Sequence, residues 1–251
     1  MTEGEVDGMR ILLVNDDGFD SPWLRILARA CSERGHETAV CAPDTEQSAR
    51  SQSFAIHTAL EAMEDAMEGT FSAWRVRGTP ADSVRLGIME LPGGQWDMVI
   101  SGINRGYNVG LAVYVSGTAG AAREAAFQGI PALALSAEVG TPEETVRWFA
   151  REGVAIGEEM VRVEKTPLTF WNVNCPPLPR EEIRGRAWGP LSSAVYRDGY
   201  ERRVSPRGQV YFWLLPEEKN RHPEEGSDLG LVSRGYISMT RLTPELGSGP
   251  A

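Results

Sequence analysis

Two adjacent carboxylates, Asp16 and Asp17, follow the first apolar run of the chain, residues 11–14, after the single residue Asn15. A short, wholly apolar run that ends in turn residues is typical of a strand buried on both faces of a parallel sheet. Ligand sites in such sheets lie just beyond the carboxyl ends of the strands. Two neighbouring carboxylates repel each other there unless a cation lies between them. The pair therefore indicates a metal site at the tip of the first strand, with a simple polar turn as the alternative.

A glycine-rich segment, residues 101–110, follows another predicted strand. Its glycines can bring the backbone close to a ligand, and Asn104 and Asn108 offer amide oxygens and nitrogens. Asn104 is a candidate neutral metal ligand. The alternative interpretation is a flexible loop of glycine and asparagine without chemistry.

Ser116, Gly117 and Thr118 open a predicted helix that is rich in small residues. The first N–H groups of a helix are unpaired and its dipole is positive at that end, so this terminus can bind a phosphate. The alternative is an ordinary serine N-cap. Because parallel strands end at one edge of a sheet, this terminus should converge with the two loops described above and with residues 43–48.

Composition restricts the classes of function. The net charge of −10 disfavours binding to a nucleic-acid duplex, and no apolar run is long enough to cross a membrane. The first eight residues lack the apolar segment of a secretory signal. Three cysteines without paired spacing argue against a disulfide framework and predict a cytoplasmic protein. Three widely spaced histidines argue against a zinc site built from histidines, so magnesium, manganese or calcium bound by oxygen ligands is expected.

Strand and helix patterns alternate through the first two thirds of the chain, which predicts an α/β fold with a doubly wound, mostly parallel sheet. Proline and capping residues predict helices that begin at Ser21 and Thr79, and Thr141-Pro142-Glu143-Glu144 predicts a capping box that opens a third helix. Residues 1–8 are expected to be a loose extension and residues 9–180 the core. Residues 181–251 are predicted to be a β-hairpin and C-terminal arm in contacts between subunits, with strands near 194–203, 209–215 and 235–241.

Five motifs in this order resemble those of the SurE survival-protein family. They are N-D-D-G, A-P-D-x-x-x-S, R-G-T-P-A-D-S-V, S-G-I-N-x-G-x-N-x-G and S-G-T-x-x-A-A-x-E. The resemblance extends from Met9 to about Thr240. Five ordered motifs at matching intervals are far more specific than any one of them.

The resemblance implies a Rossmann-like, three-layer α/β/α core and a metal-dependent phosphatase for nucleoside monophosphates or other small phosphomonoesters. It implies one divalent cation, Mg²⁺ or Mn²⁺ with Ca²⁺ as an alternative occupant, bound by Asp16, Asp17, Ser48 and Asn104. It places Asn108 and residues 116–118 (Ser116, Gly117 and Thr118) around the phosphate, and it implies a homodimer or homotetramer. The residues expected to carry catalysis are Asp16, Asp17 and Asn108.

Two other functions remain open from the sequence. One is a phosphatase with an aspartyl-phosphate intermediate, although such enzymes place two aspartates one residue apart, whereas Asp16 and Asp17 are adjacent. The other is a nucleotide- or metal-binding module without catalytic activity.

Overall fold

The computed structural model describes residues 8–92, 94–193, 198–215 and 224–244. These residues form two sheets, five α-helices and two short 3-10 helices. The strands are β1 (Arg10–Val14), β2 (Glu37–Pro43), β3 (Glu61–Asp65), β4 (Ser72–Arg77), β5 (Met98–Arg105), β6 (Ala132–Ala137), β7 (Phe170–Cys175), β8 (Arg186–Trp188), β9 (Gly199–Val204), β10 (Val210–Leu215) and β11 (Ile237–Leu242). The helices are α1 (Pro22–Glu33), α2 (Pro80–Met89), α3 (Gly117–Phe127), α4 (Glu143–Val163) and α5 (Asp228–Ser233), and the 3-10 helices are Gly110–Tyr114 and Arg180–Glu182.

The main sheet has nine strands in the order β3-β4-β2-β1-β5-β6-β7-β11-β8. From β4 to β7 all neighbours are parallel, and β3 and β11 pair antiparallel to β4 and β7. The chain winds outwards from β1 in one direction and from β5 in the other, so the strand order reverses between β1 and β5. Open α/β sheets bind ligands in the crevice at such a reversal. The predicted doubly wound, mostly parallel sheet is confirmed.

Helices cover both faces of this sheet. Helices α1 and α4 pack together on one face, and α2 and α3 pack together on the other. Successive side chains of a strand point to opposite faces, so β1 serves both layers. Ile11 and Leu13 belong to the core under α1 and α4, whereas Leu12 and Val14 belong to the core under α2 and α3. The apolar run of β1 is therefore buried on both sides, as its composition predicts.

Local signals in the sequence placed most helix starts correctly. Thr79 is the N-cap of α2, as predicted, and it forms a reciprocal capping box with Asp82. The capping box predicted at Thr141 is wrong, because α4 begins one residue later and its N-cap is Pro142. The Thr141 hydroxyl instead donates to the Glu138 carbonyl at 2.7 Å.

The glycine-rich segment is not wholly a loop, because β5 continues to Arg105. Strand β5 pairs with β6 up to Ser101 and resumes at Asn104, with an irregularity between these two residues. Gly102 lies in this irregularity at φ +136°, where a Cβ would be 2.3 Å from the Leu135 carbonyl oxygen. Only glycine can approach β6 this closely at position 102, and beyond this irregularity β5 pairs with β6 again.

The C-terminal region contains the expected hairpin of β9 and β10. Most of the large apolar side chains of this hairpin are exposed. Residues 194–197 of the predicted first hairpin strand lie outside the described residues. Helix α5 was not predicted, and β8 and β11 extend the main sheet. Among the described residues, no helix has both the length and the apolar character needed to cross a membrane.

A buried polar cluster joins α4 to the amino-terminal ends of β1 and β2. Glu158 accepts two hydrogen bonds from the Arg34 guanidinium, at 2.7 and 2.6 Å, and one from His36 Nε2 at 3.0 Å. His36 Nδ1 accepts from the Met9 N–H, so Nε2 carries the ring proton. Burial raises the pKa of Glu158, but Arg34 and His36 outweigh burial and hold that pKa below its ordinary value.

We expect Glu158→Gln to lower the free energy of unfolding at pH 7 by about 2 kcal/mol, because a charge-assisted, buried set of hydrogen bonds is lost. A carboxylate with a depressed pKa stabilises the fold above its unfolded pKa of about 4.5 and loses this contribution as the pH falls. The stability of the unchanged protein should therefore fall more steeply below pH 4.5 than that of the variant. Urea unfolding measured from pH 7 to pH 3 checks both expectations.

Glu37→Gln is the matched control, since Glu37 pairs with Arg10 at the surface. Its effect should stay below about 1 kcal/mol. Equal losses in the two variants would contradict the importance given to the buried cluster.

Candidate metal and phosphate site

Asp16 and Asp17 lie just beyond the end of β1, at the reversal of strand order. Asp16 is only 4% exposed, and its Oδ1 accepts a hydrogen bond from Thr118 Oγ1 at 2.5 Å. The N-terminus of α3 lies against the same side chain, because a Cβ on Gly117 would be 2.9 Å from Asp16 Oδ2. Glycine at position 117 thus allows the helix terminus to approach the carboxylate directly.

Asp17 is half-buried beside Asp16, and its Oδ2 accepts the Arg105 backbone N–H at 3.2 Å. Burial, followed by repulsion from Asp16, raises the pKa of Asp17 to about 6. Burial also raises the pKa of Asp16, against the opposing effect of the Thr118 hydrogen bond. Both carboxylates are therefore costly to keep charged as the residues stand, which is the condition that a bound cation relieves.

Asn104, the penultimate residue of β5, is the third predicted metal ligand. Its amide nitrogen donates to the Gly106 carbonyl at 2.8 Å. This bond orients the side chain and leaves the amide oxygen as the atom that can face a cation. The Arg105 N–H bond to Asp17 ties the end of β5 to the carboxylate pair.

Ser48 reaches this region through its loop. The N–H of the neighbouring Gln47 donates to the Asp16 carbonyl at 2.7 Å, which fixes the loop after β2 against the end of β1. The Ser48 hydroxyl itself is exposed and donates to Glu46 at 2.8 Å. No direct contact joins Ser48 to the two aspartates among the described residues, so its ligand role stays a prediction.

The segment from Gly106 to Ser116 carries Asn108, and it is called the phosphate loop below because of the role predicted for that residue. The Asn108 peptide is held by two side chains of β7. Its N–H donates to Asn174 Oδ1 at 2.9 Å, and its carbonyl accepts from Asn172 Nδ2 at 2.7 Å. Asn108 Nδ2 donates to Ser136 Oγ at 2.9 Å, and its second amide proton can serve a phosphate oxygen.

The Ser116 side chain caps α3, because its Oγ accepts the Ala119 N–H at 3.1 Å. The Ser116 hydroxyl is therefore an N-cap. Gly117 is the first residue of α3 and lies at the positive end of the helix dipole. The Thr118 hydroxyl is already donated to Asp16, so it is not free for a phosphate in this arrangement. Its observed contact is with a predicted metal ligand.

The residues at this crevice fit a hard divalent cation. Their donor atoms are two carboxylates, an amide oxygen and a hydroxyl, and oxygen ligands suit Mg²⁺, Mn²⁺ and Ca²⁺. The described residues hold no group of three or more His, Cys, Asp or Glu side chains placed for a metal, so neutral oxygens must complete the set. Two further oxygens are buried without a hydrogen-bond partner: Asn15 Oδ1, just past the end of β1, and Ser101 Oγ, in the middle of β5.

Comparison with known proteins agrees with this geometry. Residues 11–198 match the family model described as Survival protein SurE. The chain belongs to the SurE family. A 5'-nucleotidase SurE from Geotalea daltonii is 42% identical over 95% of this chain and 94% of its own length. A second, from Synechococcus sp. (strain JA-3-3Ab), is 37% identical over 95% and 93%.

A solved SurE structure shares the fold. The SurE protein from Aquifex aeolicus superposes with a TM-score of 0.78 at 34% identity, covering 95% of this chain and 94% of its own. The resemblance seen in the sequence motifs is therefore confirmed as family membership, and the Rossmann-like sheet is confirmed as that of a SurE protein.

The sequence did not predict the roles of several residues at this site. Asn172 and Asn174 were assigned no role from the sequence, yet they hold the Asn108 peptide. The available signal was two amides on one face of a buried strand, since such groups must find partners. The Thr118 bond to Asp16 joins positions 102 residues apart, and no local pattern predicts it.

Gly117→Ala should reduce phosphatase turnover by at least about 100-fold, because the new Cβ would displace Asp16 and small misplacements of reacting groups are that costly. Gly226→Ala is the control, since its Cβ would meet nothing within 4 Å. Steady-state kinetics on the folded variants check the expectation. Normal turnover in Gly117→Ala would show that the contact between α3 and Asp16 is not needed.

Proposed function

We propose that this protein hydrolyses nucleoside monophosphates to nucleoside and phosphate, with one Mg²⁺ or Mn²⁺ bound by Asp16, Asp17, Ser48 and Asn104. The protein is a metal-dependent phosphoric monoester hydrolase of the 5'-nucleotidase class, as its SurE relatives are named. Hydrolysis of 3'-nucleotides and occupation by Ca²⁺ are further parts of the proposal. The next paragraphs derive what each residue contributes.

One observation carries the proposal: a buried carboxylate pair and a helix N-terminus meet at the reversal of strand order. The pair attracts a cation, and the helix terminus attracts an anion. A phosphomonoester brings the anion, and its negative oxygens can lie between the two. This arrangement suits phosphoryl transfer better than binding of a neutral ligand.

When bound, a divalent cation supplies polarisation of a phosphoryl oxygen and orients the attacking water. Thr118 keeps Asp16 in place through its 2.5 Å hydrogen bond, so Asp16 acts as a fixed ligand. Asp17 is the more exposed of the two carboxylates, and a water can reach it to give up its proton. The water oxygen then bonds to phosphorus as the bond to the nucleoside oxygen breaks, and that leaving oxygen takes up a proton, from Asp17 or from solvent, to give the free nucleoside.

Asn108 and the N-terminus of α3 stabilise the charge that develops on the phosphoryl oxygens. The remaining amide proton of Asn108 and the unpaired backbone N–H groups near Gly117 are donors that need no reorganisation during the reaction. Ser116 contributes by capping the helix and orienting its first turn. Thr118 serves Asp16 rather than the phosphate, because its hydroxyl and its backbone N–H both interact with the Asp16 carboxylate.

The two alternatives are less favoured. An aspartyl-phosphate route needs an aspartate free to attack phosphorus, whereas Asp16 is buried and bonded to Thr118 and Asp17 accepts from Arg105. A module that only binds would not explain why the family relatives are named nucleotidases.

The proposal includes a homodimer or homotetramer in the cytoplasm. The hairpin of β9 and β10 supports assembly, because Tyr200, Phe212 and Trp213 expose 71%, 58% and 58% of their surface. Such a cluster of large apolar side chains marks an interaction surface. The three cysteines support a reducing compartment, since all of them are free and buried.

The test is phosphate release from adenosine monophosphate with Mg²⁺ or Mn²⁺, which should stop with a chelator and return with added metal. Asp17→Asn should lower turnover by more than about 100-fold, since loss of an outer-shell partner alone costs about 10- to 100-fold. Asp20→Asn, an exposed aspartate paired with Arg75, should behave like the unchanged protein.

Full activity of Asp17→Asn, or full activity in the presence of the chelator, would overturn the metal mechanism. A phosphorylated aspartate found by mass spectrometry after quenching would favour the covalent route. Tight binding of adenosine monophosphate without phosphate release over hours would favour the binding module.

A further inference from the structure

The middle of the phosphate loop is held mainly by side chains from other parts of the chain. Asn172 and Asn174 hold the Asn108 peptide from the side of the sheet. Two residues further on, the Gly110 N–H donates to Asp228 Oδ2 at 2.8 Å, across 118 positions of sequence. Asp228 is the first residue of α5, so the C-terminal region reaches into the frame of the site.

Asp228 is a fully buried carboxylate surrounded by backbone N–H groups. Its Oδ1 accepts from the Ser192 N–H at 2.8 Å and from the Leu229 N–H at 2.7 Å, while Oδ2 accepts from Gly110. Burial raises the pKa of Asp228, and the three N–H groups oppose that effect. Three separate segments, the phosphate loop, residues 190–193 and α5, are thus joined at one side chain.

Apolar packing reinforces the same connection. Val109, between Asn108 and Gly110, forms a small buried cluster with Leu229 and Val232 of α5, and Tyr107 packs against it. Gly110 has a positive φ of +56°, a conformation that favours glycine and directs its N–H towards α5. Within the described residues, the bond from Gly110 to Asp228 is the only hydrogen bond between the loop and α5.

We propose that Asp228 is a positioning residue for phosphate hydrolysis, because its carboxylate fixes the Gly110 peptide and thereby the placement of Asn108 and Ser116. The inference rests on the proposed function, since it assigns a purpose to the loop that carries the phosphate donors. Asp228 does not touch the substrate. It acts through the loop, as outer-shell partners act through the ligands that they orient.

Replacing the Asp228 carboxylate by an amide removes its hydrogen bond with Gly110 and keeps its other hydrogen bonds. An asparagine at position 228 has one oxygen, which can still serve Ser192 and Leu229 on its Oδ1 side. Its amide group then faces the Gly110 N–H, and two donors cannot pair. Asp228→Asn therefore releases the phosphate loop while the bonds within the C-terminal region are kept.

The experiment compares Asp228→Asn with Ser227→Ala, both assayed with Mn²⁺ and adenosine monophosphate at a temperature where each is folded. Ser227 caps the same helix through the Gly230 N–H but does not contact the loop. We expect kcat to fall about 10- to 100-fold in Asp228→Asn, as for other outer-shell losses, and to stay within about 2-fold in Ser227→Ala. KM and the half-saturating Mn²⁺ concentration should change less than about 3-fold in both variants, because the loop places donors that act in the transition state.

A second matched pair covers the case in which Asp228→Asn does not fold. Leu229→Ala removes a contact with the Val109 cluster, whereas Leu231→Ala removes an equally buried leucine of α5 that faces Gly189. A larger loss of kcat in Leu229→Ala than in Leu231→Ala, at equal thermal stability, supports the proposal.

Equal kcat values within each pair would overturn the positioning role while leaving the nucleotidase activity standing. If the unchanged protein releases no phosphate, the proposed function itself fails. In that case the positioning role fails with it, because a protein that releases no phosphate has no hydrolysis for Asp228 to assist.

Discussion

The structure depends on one electrostatic constraint, which is the burial of two adjacent carboxylates where the strand order reverses. Asp16 and Asp17 lose hydration there, and repulsion from Asp16 adds to the cost of charge on Asp17. Such a pair is stable only when a favourable interaction offsets the cost of burying its charges, and a divalent cation is the usual source of that interaction. The neighbouring residues fit the proposed oxygen site: Thr118 donates to one carboxylate, the Arg105 N–H donates to the other, and the hydrogen bond from the Asn104 amide nitrogen leaves its amide oxygen for a cation.

The elements around the pair follow from this constraint. Helix α3 must approach Asp16 closely, and Gly117 is the residue that permits it. The phosphate loop must leave β5 and return to α3 with its donors in register, although it has little strand pairing of its own. Side chains from β7 and α5 supply the missing anchors, through Asn174 and Asp228. The C-terminal region is thereby part of the frame of the site, in addition to its two strands in the main sheet.

The sequence predicted those parts of the fold that depend on short-range patterns. The buried β1, the capping box at Thr79 and the alternation of strands and helices follow from periodicity and turn chemistry, and the ordered motifs identified the family. Helix α5 was missed because its six residues are too short for a helical period to appear. The frame around Asn108 was missed because partners such as Asp228 are more than a hundred positions away, and only the folded chain brings them together. The ligand set and the division at residue 180 remain predictions.

The most direct test of the central claim is a crystal structure of the protein grown with Mn²⁺, analysed by the anomalous scattering of manganese. The account predicts one strong peak per chain between Asp16 and Asp17, with oxygen ligands at about 2.1–2.2 Å, the range of hard divalent cations slightly larger than Mg²⁺. The Asn104 amide oxygen should coordinate the same ion, and the Ser48 hydroxyl should turn from Glu46 towards it. A crystal saturated with Mn²⁺ that shows no peak at the aspartate pair would contradict the account.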